Sequence, residues 1–320
     1  MAGNRLPRRR SAGRSLTAMV ALVLLIGVVP PAAAEPLFTL AGGRAPVGLA
    51  TDHERQRYWV LDRSSGRLTI EAYQADGTAE GAMNSRDYVS TMQALAFVDG
   101  QAYVGDLGGA RSQVDVYRVR DPWPGTEINR ARVHTLAYPD GAHRAATLLV
   151  DASHRMSVVT TGSDPGIYEA PLDAPSGKSS VLTRVADAPD DVTDGTVLRD
   201  GRIVLRTRTT LYTLDPQTYA VVDEAELADD ERYGWSVTES VTGGTVITGA
   251  TAALELSEHP VPGPTPAATE APAEPTMAVD PTEAAETVEV TIAQSGTTLA
   301  LLTAAGVAAL AALIVLIKRR

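Results

Sequence analysis

One unit recurs five times in this 320-residue chain, and that recurrence narrows the possible folds more than any other feature. The copies begin at Val47 (VGLATDHERQRYWVLDRSSGRLTIEAYQADG), Met92 (MQALAFVDGQAYVGDLGGARSQVDVYRVRD), Ala145 (AATLLVDASHRMSVVTTGSDPGIYEAPLD), Val192 (VTDGTVLRDGRIVLRTRTTLYTLDPQ) and Trp235 (WSVTESVTGGTVITGATAALELSE). They stand 43 to 53 residues apart. Each reads as an apolar strand, a turn, a second strand, another turn and a third strand. Fourth strands are predicted in the intervals, at residues 133–138 (VHTLAY), 181–186 (VLTRVA) and 220–227 (AVVDEAEL). A four-stranded antiparallel unit at this period is the signature of a β-propeller blade. A single blade cannot bury both of its faces, whereas blades stacked around an axis cover one another. The expected fold is therefore all-β, a propeller of five four-stranded blades. The segment LFTLAG (residues 37–42) precedes the first unit without a hairpin partner, so it is expected to supply the outer strand of the last blade and close the ring. Leu49, Leu95, Leu148, Val197 and Val237 fall at core positions of this pattern. Tyr58, Tyr103, Tyr117, Tyr168 and Tyr212 fall where rings pack between blades.

The two ends are of another kind. Residues 1–34 combine a basic start, an apolar run of about 14 residues and Ala32-x-Ala34, the layout of a signal peptide cleaved after Ala34. That run is shorter than the roughly 18 residues a span requires. Residues 299–317 (LALLTAAGVAALAALIVLI) carry no charge, and Lys318, Arg319 and Arg320 follow at once. A helix over 296–317 would cross a bilayer and leave the basic tail 318–320 in the cytoplasm. The expected placement is a single-pass, type I protein of the cell membrane with the propeller, residues 35–258, outside. Between propeller and span, residues 259–295 are rich in Pro, Thr and Glu and lack Phe, Tyr, Trp, Lys and Arg. Such a stretch buries too little apolar surface to fold and is expected to be an extended stalk. Ile292-Ala293-Gln294-Ser295-Gly296 resembles the sorting motif read by sortases but departs from it at the first and fourth positions, so cell-wall attachment is the alternative to a plain membrane anchor.

Charge and cysteine content exclude some roles. The chain has no cysteine, so no disulfide framework supports it outside the cell. Residues 36–258 hold 32 acidic and 20 basic side chains, and this acidic balance argues against nucleic acid as a partner. The partners left are a cell-envelope protein or glycan, with the membrane reached through the C-terminal helix.

The fragments YVGDLGGARSQVDVYRVRDP, YPDGAHRAATLLVDASHRMSVVTTGSDPGIYEAP and VTDGTVLRDGRIVLRTRTTLYTLD resemble a family of exported actinobacterial propeller-like proteins of the WD40/YVTN type. Members carry YVGDIGDN, then YPDGPHDAEALLVDP, then VTGADVSPDGRRVALRT, in this order and at similar spacing. The resemblance implies the fold and the exported location, and no activity is assigned to that family. This chain departs from the pattern at particular places. Thr91-Met92-Gln93-Ala94 stands where the family reads Asp-Trp-Glu-Asp, Gly109 and Ala110 replace Asp and Asn, and Arg144 and Ala146 replace Asp and Glu. If those acids hold a cation at the mouth of the propeller, most of its ligands are missing here.

No Gly-x-Ser-x-Gly elbow, His-Glu-x-x-His pair or Gly-Lys-Ser phosphate loop is present. No motif specifies a cofactor, and calcium is the one cation the carboxylates bring to mind. Its candidate ligands are Asp106, expected otherwise to cap the tight turn that follows it, and Asp190, Asp191 and Asp194 of the acidic stretch DAPDDVTDG. Arg206 and Arg208 are placed to pair with that stretch. His143, with Asp140 three residues before it to orient the ring, is the best placed histidine for chemistry. The function expected is a binding or scaffolding module at the bacterial surface. The alternative is a cation-dependent hydrolase of the phosphoesterase or lactonase type, with its site at the axial mouth.

Overall fold

The computed structural model describes residues 36–40, 46–62, 66–128, 130–228, 235–249 and 255–263. The proposed signal peptide, membrane helix and basic tail, and the stalk beyond Gly263, lie outside the described residues, and no helix among those described is long and apolar enough to cross a membrane.

The described strands form five sheets. The chain opens with β1 (Pro36–Thr39). Blade 1 then follows as β2 (Pro46–Asp52), β3 (Arg57–Asp62), β4 (Gly66–Gln74) and β5 (Ala79–Val89). Blade 2 is β6 (Met92–Val98), β7 (Gln101–Asp106), β8 (Gln113–Arg120) and β10 (Arg132–Ala137), with the short β9 (Glu127–Ile128) before its last strand. Blade 3 is β11 (Arg144–Val150), β12 (Met156–Thr161), β13 (Gly166–Glu169) and β15 (Thr183–Asp187), with β14 (Ser179–Val181) before its last strand. Blade 4 is β16 (Asp194–Val197), β17 (Ile203–Arg206), β18 (Thr210–Leu214) and β19 (Val221–Glu226). Blade 5 is β20 (Val237–Glu239), β21 (Thr245–Gly249) and β22 (Glu255–Pro260), completed by β1.

The inner strands β2, β6, β11, β16 and β20 each lie against the next, and β20 lies against β2, so the ring is closed. Strands on the axis are covered on both sides, and the polar residues they carry, such as Thr51, Thr147, Asp194 and Thr238, are buried with the apolar ones. Every residue of β2 is buried, while the outer β15 and β19 are mostly exposed. Sharp turns join the strands. Between β6 and β7, Asp99 and Gly100 both take positive φ (44° and 69°), the two-residue hairpin geometry for which Asp-Gly is suited.

The closing strand is the one foreseen in the sequence. Phe38 of β1 pairs with Leu256 of β22. Its ring lies 5.8 Å from that of Tyr58 in blade 1, inside an apolar cluster shared by Leu49, Val60, Val241 and Ile247. Two features were not foreseen. The short β9 joins blade 1 by pairing parallel to β5, and β14 joins blade 2 by pairing parallel to β10. Blades 2 and 3 thus each lend a short strand to the outer edge of the blade before, giving blades 1 and 2 five strands instead of the four expected. The boundary drawn after Glu258 also moves. His259 and Pro260 belong to β22, the Pro262 carbonyl accepts a 2.9 Å bond from the Thr213 hydroxyl, and Val261 is buried against blade 4.

Removing the anchor of the closing strand should loosen the whole ring. Phe38→Ala is expected to cost about 3 kcal/mol, lowering the melting midpoint by roughly 6–12 °C. Leu172→Ala, at an exposed apolar position, should leave the midpoint within about 2 °C.

Candidate functional site

All five blades contribute to a cavity at each end of the axis. At the end where the inner strands begin, here called the top, a cavity of about 510 Å³ is lined by Val47, Gln93, Ala146, Arg144, Arg208 and Trp235 among others. At the bottom, where those strands end, the cavity is about 560 Å³.

A repeated backbone device builds the top mouth. In each of blades 1 to 3 the register between inner strand and neighbour slips by one residue just after the inner strand starts. The extra residue is Val47, Gln93 and Ala146 in turn, and all three line the top cavity. A β-bulge of this kind redirects a side chain that regular pairing would send elsewhere. The Gln93 amide donates to the Ala145 and Ala146 carbonyls (3.2 and 3.4 Å), fastening one bulge to the next. Five of the positions at which the chain departs from the resembled pattern converge here too: Thr91, Gln93, Gly109, Arg144 and Ala146 all line the same cavity. The mouth therefore holds two guanidinium groups, Arg144 and Arg208, and a single carboxylate, Asp191, among its described lining. Arg208 lies over the Trp235 ring, 5.2 Å from its centroid. Neither Arg144 nor Arg208 forms an ion pair with a described residue.

Asp106 serves a different loop from the one expected. Its carboxylate accepts the backbone N–H groups of Ser90 (3.1 Å) and Thr91 (3.0 Å), the Ser90 hydroxyl (2.8 Å) and Nη1 of Arg111 (3.1 Å). It pins the connection that carries the chain from blade 1 into blade 2, and the glycines after it do not donate to it. Gly108 is needed for another reason: a Cβ there would stand 2.1 Å from Thr91 Cγ2, so only glycine lets this turn lie against that connection.

Asp194 is separated from its acidic neighbours in the sequence. Asp190 and Asp191 are exposed, whereas Asp194 is fully buried at the start of β16. It accepts the Thr147 hydroxyl of blade 3 (2.6 Å) and the Val237 N–H of blade 5 (3.0 Å). Arg206, opposite it in register and also fully buried, donates to the Ser236 and Gly249 carbonyls of blade 5 (2.9 and 2.7 Å). Three blades meet in this network. Burial pushes the Asp194 carboxyl up to about 7, against the pull of these hydrogen bonds and of the Arg206 charge. The expected pairing of Arg206 and Arg208 with one acidic loop does not form: Arg206 points into the core, and Arg208 lies in the mouth over Trp235.

Asp140 and His143 do come together. His143 Nε2 lies 2.8 Å from Asp140 Oδ1, and the Tyr168 hydroxyl donates to Asp140 Oδ2 at 2.9 Å. Slight burial works against ionisation of Asp140, but the bonds from Tyr168 and His143 outweigh it and hold the group below the usual carboxylate range. The three rings of Tyr138, His143 and Tyr168 pack within 4.9–5.1 Å of one another. Burial and the bond to Asp140 raise the Tyr168 hydroxyl to about 12, so it remains a donor at neutral pH. The cluster fastens the loop before β11 to blade 3.

Among the described residues no three His, Asp or Glu side chains gather as they would around a metal. The four carboxylates considered for calcium do not share a site: Asp106 is held by Ser90, Thr91 and Arg111, Asp194 is sealed in the core, and Asp190 and Asp191 are exposed.

No family model matches this chain, and no curated protein matches it. Solved structures resemble it distantly. The WD40 β-propeller domain of Doa1 aligns with a TM-score of 0.40 and 13% identity over 66% of this chain and 77% of that one. A gluconolactonase-like protein aligns at 0.41 and 14%, over 73% and 94%. A chain of a nidogen/laminin complex aligns at 0.37 and 15%, over 56% and 62%. Likenesses this remote transfer neither ligand nor activity.

The buried Asp194 makes stability depend on pH in an unusual direction. Folding raises its pKa, so the folded chain keeps a proton that the unfolded chain has already released. The favourable contribution is complete below the unfolded value, near pH 4, and is lost as pH climbs through about 7. Asp194→Asn mimics the protonated form. The wild-type midpoint is expected to fall by several degrees more than that of the variant between pH 5 and pH 8, read by thermal melting.

Proposed function

We propose that the protein is a binding module held outside a bacterial membrane by its C-terminal segment, with the ligand, a component of the cell envelope, seated in the top mouth of the propeller. One observation carries the reading. The bulged starts of three inner strands and the connections into blades 4 and 5 deliver side chains to a single open cavity, and the turn at Gly108 and Gly109 lines it with backbone. At about 510 Å³ it lies within the usual range for ligand pockets, roughly 300–1,000 Å³. The rigid ring holds those side chains in place without the ligand, which lowers the ordering cost of binding.

A cation-dependent hydrolase is the less supported reading because of the donor set. Calcium takes about six to eight oxygen ligands, carboxylates prominent among them. The described lining of the mouth supplies one carboxylate, Asp191, beside two arginines that would repel a cation. The surface location rests on the sequence: the signal-like start, the uncharged run 299–317 and the extended segment before it.

The test uses the full chain in mild detergent, mixed with isolated bacterial envelopes in the presence of EDTA. Saturable retention is the expected result. Calcium-dependent turnover of a phosphoester or lactone would contradict the reading. So would a rise in midpoint of roughly 5–10 °C on adding calcium, the shift that a cation at a hundred times its Kd would give.

A further inference from the structure

The geometry points to an anion-binding site in the top mouth, formed by Arg144 and by Arg208 over Trp235, that takes an acidic sugar: a glycan residue bearing a carboxylate or a phosphate. This rests on the binding-module reading and gives its ligand a chemical class.

Four observations carry it. First, the two guanidinium groups share a cavity and lack carboxylate partners among the described residues. Other arginines of the domain are engaged: Arg55 with Asp52, Arg111 with Asp106, Arg184 with Asp164 and Arg202 with Asp200. A guanidinium left with free donors in a concave site matches the planar, bidentate geometry of a carboxylate or phosphate.

Second, the two ends of the axis differ in charge. The bottom cavity is lined by Asp52, Glu54, Asp99, Asp151 and Glu239, with Arg199 and His53 as its basic groups. Among the described residues, a chain of net charge −11 thus lines one mouth mainly with acids and places two arginines against one aspartate at the other. An anion is repelled by most of this surface and attracted at the top, which favours selective capture there.

Third, the rest of the lining suits a sugar. Trp235 adds an aromatic surface beside the cation. The hydroxyl-bearing Thr91, Thr161 and Thr193 stand around the same cavity and offer both donors and acceptors to ring hydroxyls. Fourth, Arg144 is held where it is needed. It is the first residue of β11, paired in register with Thr161, and the adjacent Ala145 and Ala146 carbonyls are fixed by Gln93. Both arginines are exposed and take no part in the core, so replacing them leaves the fold intact.

The experiment titrates the full chain with glucuronate, glucose 6-phosphate and neutral glucose by calorimetry, with an acidic hexapeptide as a further probe. Wild type should bind the two anionic sugars saturably and glucose at least tenfold more weakly, with affinity falling as salt is raised. Arg144→Ala and Arg208→Ala should each weaken the anionic sugars tenfold or more while melting like wild type, and Arg208→Lys should recover part of the loss. Equal binding of glucose and glucuronate would overturn the anion site. Binding of the peptide but of neither sugar would overturn the sugar class. If no sugar binds and the alanine variants are still retained by envelopes, the site is wrong while the binding module stands. Absence of envelope retention in the wild type is the distinct failure of that broader reading.

Discussion

Ring closure is the constraint on which everything else in this molecule depends. A blade of four short strands has two apolar faces and can cover neither alone, so each must be met by a neighbour. Five blades in an arc would leave two faces in water. The chain avoids this by completing its last blade with its first strand, and Phe38 carries the join into the cluster shared by blades 1 and 5. The seams of the ring differ in chemistry. Gly48 lies so near the Leu95 backbone that a Cβ would stand 2.8 Å from its nitrogen, and the Thr51 and Thr238 hydroxyls meet at 3.0 Å. Around Asp194 and Arg206 the seam is polar, hydrogen-bonded and buried. A network of that kind is costly in desolvation, and its hydrogen bonds to two neighbouring blades hold those seams in register.

The site follows from closure. Once the ring is rigid, the starts of the inner strands converge on one opening, and whatever residues occupy those starts define its chemistry. Here the bulges at Val47, Gln93 and Ala146 turn side chains toward the axis, and Arg144 and Arg208 set the charge. Where the resembled pattern has acids at these places, this chain has Thr, Gln, Gly, Arg and Ala. On this scaffold the described lining of the mouth presents two guanidinium groups and one carboxylate. Fold and chemistry are set by different residues, and the second can change while the first stays.

Much of the fold was legible because period and turn chemistry are local. The five units, the fourth strands of blades 2 to 4 and the closing role of residues 37–42 all emerge from alternation and from Asp-Gly turns. The fourth strand of blade 1 was not, because AEGAMNSRDYV carries Gly, Asn, Ser, Arg and Asp through its length, and its pairing depends on β4 beside it. The added strands β9 and β14 are two and three residues long and are specified by the blade they reach, not by their own sequence. Val197, expected in the core, is half-buried and lines the bottom cavity. Asp194 shows the limit most clearly: in sequence it is one of four aspartates in a polar stretch, and its burial arises only when blades 3, 4 and 5 meet. The convergence of Thr91, Gln93, Gly109, Arg144 and Ala146 was foreshadowed as a set of departures from a pattern, but their shared cavity needed the ring.

Hydrogen exchange of the full chain with and without isolated envelope glycan tests the placement of the site most directly. Slowed exchange is expected at the top of the axis, in peptides covering 91–93, 107–110, 144–147 and 191–193, with the bottom turns near 52–54, 99–101 and 151–153 unchanged. Protection confined to those bottom turns, or spread evenly over the outer strands, would contradict a ligand site at the top mouth.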